Sequence, residues 1–162
     1  MLMFSERFSS KKSFEIDYKG KKVNAFYKFD KQGMHILRFT FIESKSTFKQ
    51  AIIFHFNQFI GEIVINDKKI DIPKRQFFQL IFEETETSAQ FDVHVELKAG
   101  DIVICNGSDP LGYGGIWHSL SHGCAMIIES IKENHFKFYC NDHENDDDFD
   151  DLIFELEIFE VR

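Results

Sequence analysis

At 162 residues, 43% hydrophobic and 28% charged, the chain has the size and make-up of one soluble domain spanning 1–162, long enough to bury a core without staples. Its net charge of −8 argues against nucleic acid and anionic membrane surfaces, which select basic patches, and no stretch reaches the roughly 18 apolar residues that span a bilayer. Three cysteines (Cys105, Cys124, Cys140) form no C-x-x-C pair, and Met1–Arg7 lacks the basic-then-apolar order of a signal peptide, so the expected setting is the cytoplasm without disulfides.

Twenty phenylalanines and only two prolines favour strands. Ser13–Tyr18 alternates, Lys19-Gly20-Lys21 offers a turn, and Val23–Phe29 runs back, which predicts an opening hairpin. Met34–Ile42 follows, with Leu37, Phe39 and Phe41 on one face and Ile36, Arg38, Thr40 and Ile42 on the other. Ala51–Phe56 and Gly61–Ile65 read as separate strands, and Asn66–Lys69 turns into Ile70–Ile72 before Pro73. Gln76–Glu83 and Phe91–Leu97 come next, the latter in strict alternation, so one of its faces is buried and one wet. Lys98-Ala99-Gly100-Asp101 reads as a turn into Asp101–Cys105. A glycine-rich loop, Asn106–Gly115, precedes the last three strands, Cys124–Glu129, His135–Cys140 and Leu152–Val161. No convincing amphipathic helix is seen. About ten short antiparallel strands with regular turns predict an all-β fold, a β-sandwich or jelly roll.

The charge is not spread evenly. Seven of the ten residues from Asp142 to Asp151 are Asp or Glu, and without them the chain is close to neutral. So many carboxylates either stay wet and apart or gather round a cation. Asp142, Glu144, Asp146, Asp148 and Asp150 fall at every second position, and oxygen-only ligands suit calcium better than magnesium, which keeps more water. An EF-hand does not fit, because Asp151 stands where that loop needs glycine and Leu152–Ile158 alternates as a strand. The other reading is a solvated acidic hairpin that keeps the sheet soluble.

Asp146-Asp147-Asp148-Phe149-Asp150-Asp151-Leu152-Ile153-Phe154 resembles the D-x-D-[FY]-N-D-[LV]-[VI]-[FV] signature that closes a family of bacterial β-sandwich domains, found mostly in secreted exoproteins. Leu97-Lys98-Ala99-Gly100-Asp101 is similar to that family's strand entry. The resemblance covers about 60 C-terminal residues. It implies calcium held by Asp146, Asp148, Asp150 and Asp151, with Phe149 as a buried anchor. Asp150 stands where the family has Asn, and His143-Glu144-Asn145 replaces its usual glycines. Low cytosolic calcium would leave such a site empty unless it binds tightly.

A second candidate is the stretch 106–118. Asn106, Asp109, Tyr113, Trp117 and His118 combine aromatic plates with polar oxygens and an imidazole, the equipment of a carbohydrate site. The glycines match neither phosphate-binding pattern. His118-x-x-x-His122-x-Cys124, with His94, is an alternative transition-metal set for a jelly-roll enzyme, although the Glu of H-E-x-x-H is missing. The expectation is therefore a non-enzymatic module that binds calcium and meets a carbohydrate or a protein partner. Oligomeric state is not legible.

Overall fold

Alternating burial places each strand. His35, Leu37 and Phe39 are buried while Ile36, Arg38 and Thr40 are half-covered, and Val93, Val95 and Leu97 are buried while His94 is exposed. The computed structural model describes residues 3–74, 77–110, 118–120, 123–142 and 147–162, with the backbone alone for His118 and Ser119.

Among the described residues one helix, α1 (Phe4–Lys11), leads into β1 (Glu15–Tyr18), β2 (Lys21–Asn24), β3 (Tyr27–Phe29), β4 (Gly33–Glu43), β5 (Lys49–Ile65) and β6 (Lys68–Ile70). β7 (Gln79–Glu83), β8 (Gln90–Asp109), β9 (His118–Ser119), β10 (Ala125–Lys132), β11 (His135–Asn141) and β12 (Leu152–Glu160) complete the order. The 12 strands of the described residues form one open, hydrogen-bonded sheet in the order β1-β2-β10-β11-β12-β4-β8-β5-β6, with β3 and β9 added to β8 and β7 to β5. Every pairing is antiparallel. The sheet folds over itself into a sandwich. Rings meet across the fold: Phe39 of β4 touches both Phe54 of β5 (5.6 Å) and Phe154 of β12 (6.1 Å), Phe154 stacks on Phe138 of β11 (4.5 Å), and Tyr27 of β3 meets Phe138 (5.8 Å).

The all-β sandwich expected from the pattern is present, but its strands are cut differently. Ala51–Phe56 and Gly61–Ile65 are one strand, and Phe91–Leu97 and Asp101–Asp109 are another, so the fold rests on two long strands and not on short ones alone. The expected turn at Lys98–Asp101 is a bulge. Pairing of β5 with β8 slips between Asn57↔Asp101 and Ile60↔Ala99, and Gly100 takes φ +77° there. Val23–Phe29 divides the other way: β2 pairs with β1 and β10, while β3 crosses to β8.

α1 was not foreseen. The Glu6 carboxylate accepts the Met3 N–H (2.8 Å), and Phe4 and Phe8, one turn apart, are buried. They join Ile16, Val23, Ala25, Ala125 and Phe149 in a second apolar cluster, separate from the main core. Among the described residues no helix is long and apolar enough to cross a membrane.

Candidate functional site

The acidic segment joins β11 to β12, and hydrogen bonds clamp its two ends. The Asp151 N–H donates to the Cys140 carbonyl (3.2 Å), and the Asp142 N–H donates to Asp151 Oδ2 (2.9 Å). From the β4–β5 connection, Ser44 Oγ donates to the Asp151 carbonyl (2.9 Å) and the Lys45 N–H to the Asp150 carbonyl (3.3 Å). Inside this frame Asp147 and Phe149 both have left-handed backbones, φ +65° and +53°. That conformation is costly for a bulky aromatic and needs support from its surroundings. The support is visible: Phe149 is buried with its ring 5.3 Å from Phe4, which in turn stands 5.0 Å from Tyr18.

The curl gathers carboxylates. Asp148, Asp150 and Asp151 each offer an oxygen within 4.8 Å of the others; Asp148 is exposed, Asp150 half-buried and Asp151 buried. These are hard, anionic oxygens at a spacing one divalent ion can bridge. Lys45 Nζ supplies the nearby positive charge, 3.3 Å from Asp150 and 3.6 Å from Glu43. A bound cation would take its place beside Asp150.

Asp147 points elsewhere. The Tyr18 hydroxyl donates to its Oδ2, and Lys19 Nζ lies 3.0 Å from the same oxygen. The Tyr18 hydroxyl first, and then the Lys19 ammonium, hold this carboxyl below the usual Asp range. A folded-state pKa below the unfolded one gives stability that is present above the unfolded value and lost as pH falls through the folded one. Wild type should therefore lose its advantage over Asp147→Asn as pH drops below about 4, the unfolded value for Asp. Urea melts of the two proteins between neutral and acid pH check this; a constant gap would refute it.

Asp142, expected among the calcium ligands, does not join the three-carboxylate group; its side chain turns inward. It is 2% exposed, accepts a hydrogen bond from Ser46 Oγ, and has Gln50 Nε2 3.5 Å from its Oδ2. Asp146 lies outside the described residues.

Of the other set, Asn106 and Asp109 are not in a loop. Both belong to β8, where Lys49↔Asp109 and Ile52↔Asn106 pair with β5, and both are buried. Asn106 Nδ2 donates to the Asn141 carbonyl and Asn141 Nδ2 to the Gly123 carbonyl, each at 2.8 Å. So the described parts of the two stretches singled out in sequence, Asn106 and Asn141, meet at one end of the sandwich. Tyr113 and Trp117, like His122, lie outside the described residues, as does the side chain of His118. The His118 backbone pairs with Ser108, whereas His94 pairs with Ile36 and Val64, 14 residues up the same strand, so His94 and His118 do not converge.

The cysteines are buried thiols, and burial pushes Cys140 well above the ordinary thiol range, which keeps it protonated. A hollow of about 650 Å³ at the far end of β8, lined by Arg38, Asp67, Phe82, Phe91, Asp92 and His94, takes in one residue of the alternative metal set, His94, and none of the acidic turn. Sequence reasoning missed Ser46 and Gln50 altogether. Polar residues at the start of a strand carry no mark of burial; their contact with Asp142, more than 90 residues away, creates it. Searches against protein-family models, curated proteins and solved structures find no match.

Proposed function

We propose that the chain is a non-catalytic binding or interaction module whose turn Asp148–Asp151 takes up calcium and so fixes the surface around it. The observation that carries this reading is the approach of Asp148, Asp150 and Asp151 to within 4.8 Å on a backbone curled by two left-handed residues. Like charges held this close repel one another, and a cation turns that repulsion into attraction. The resemblance of 146–154 to a calcium-holding exoprotein motif supports the choice of calcium, and Phe149 sits where that motif has its buried anchor. Water and backbone carbonyls would supply the remaining oxygens of a six- to eight-fold shell. The partner met by the surface is a protein or a carbohydrate.

A thermal melt tests the reading. At a hundredfold excess over Kd, a ligand of the native state adds about 2.7 kcal/mol, a rise of about 5–10 °C for a chain of this size. Calcium should produce that rise, magnesium a smaller one, and chelator should abolish it. Asp148→Asn/Asp150→Asn should melt lower than wild type in calcium and nearly equal to it in chelator. Equal differences in both conditions would reduce the turn to a solvated hairpin.

A further inference from the structure

We propose a second, interior site for a hard divalent cation of the calcium class, formed between the sandwich layers by Gln50, Asn106 and Asp142. It uses none of the three carboxylates of the acidic turn and stands or falls apart from them.

Gln50 is 1% exposed and Asn106 fully buried, and the side-chain carbonyl oxygen of each has no hydrogen-bond partner. An orphaned buried carbonyl costs about 1–3 kcal/mol, so it calls for an explanation. Neither amide can turn over to hide its oxygen. Gln50 Nε2 is held by two acceptors, the Phe48 carbonyl (3.3 Å) and Asp142 Oδ2 (3.5 Å), and Asn106 Nδ2 by the Asn141 carbonyl (2.8 Å). Reversal would set oxygen against oxygen.

The strand register puts the two orphans on one face. Gln50 pairs with Ser108 and Ile52 with Asn106, so Gln50, Asn106 and Ser108 project from one face of the β5–β8 ribbon. Opposite them the end of β11 contributes Asn141 and Asp142, and Ser46 Oγ lies against the Asp142 carboxylate. The Gln50 and Asn106 amides donate to carbonyls and a carboxylate, while their own carbonyl oxygens are left over. Asp142, which lies outside the outer group of three carboxylates, is buried there at 2% exposure. An internal water could meet two of the acceptors, but it brings no charge. A cation answers the orphaned oxygens and the buried Asp142 carboxylate together.

The test is calorimetric titration of calcium chloride into the full chain carrying Asp148→Asn/Asp150→Asn, which removes the outer group. One equivalent should still bind, against two for wild type, and adding Asp142→Asn should abolish it. Because Asp142→Asn can fail to fold, Gln50→Glu provides a second readout in the same background. It exchanges a donor to Asp142 for a like charge, so it should melt several degrees lower in chelator and recover in calcium. If the chain without the outer group binds no calcium and Gln50→Glu melts alike in calcium and chelator, the orphaned oxygens are met by internal water and the interior site is refuted. If wild type and the outer-group variant bind the same single equivalent, the interior site is the one that exists and the acidic turn is not.

Discussion

Gly61→Ala and Gly100→Ala are each expected to destabilise the fold by about 3 kcal/mol. A Cβ at Gly61 would come 1.9 Å from the Glu96 carbonyl oxygen, and one at Gly100 would come 2.2 Å from the Gln58 carbonyl oxygen and 2.4 Å from that of Asn57. These are backbone atoms, which cannot rotate aside as a flexible side chain can. Both glycines sit where β5 and β8 slip past each other by a bulge, so relief would require separating the two long strands. Gly33 is the control. It also has a positive φ, +99°, but a Cβ there meets nothing within 4 Å, so Gly33→Ala should cost only the conformational strain, about 1 kcal/mol. Urea midpoints of the three variants decide the matter; if all three shift alike, the close crossing is wrong.

Phe149→Ala should cost about 3 kcal/mol and, unlike most core truncations, should also take the proposed calcium response with it. The ring is buried against Phe4 at 5.3 Å and belongs to the cluster that seats α1 on β1, β2 and β10. Its packing is what holds a left-handed aromatic in place, and the two left-handed residues are what curl Asp148, Asp150 and Asp151 together. Without the anchor the turn is free to open and the carboxylates to spread into water. A melt of Phe149→Ala with and without calcium separates the two effects. A lower midpoint with an undiminished calcium rise would show that the anchor stabilises the domain without shaping the site.

The sandwich was legible because burial follows the period-2 pattern at Leu37, Phe39, Val93, Val95 and Leu97. Where strands begin and end was not. Gly100 satisfies a turn and a bulge equally well, since both ask for positive φ, and only the partner strand beside it decides between them. α1 left one faint mark, two phenylalanines a turn apart with a glutamate between them; in a polar segment that is easily passed over. In the acidic segment the alternation of Asp142 with Asp148 and Asp150 invited a single ligand set. The clamp between Asp142 N and Asp151 breaks that set, turning Asp142 toward Ser46 and Gln50. Long-range pairing creates that inner environment, so no local pattern could announce it.

β12 lies between β11 and β4, in the middle of the strand order, although it follows all the other described strands in sequence. During synthesis β4 and β11 must therefore wait with unpaired edges until residues 152–160 have left the ribosome. Edges left open in this way are templates for association between nascent chains. The run of carboxylates just ahead of β12 reaches solvent immediately before that strand, and its mutual repulsion would keep neighbouring unfinished chains apart during the interval. A segment whose carboxylates gather in the folded protein would thus serve the unfinished one as a spacer.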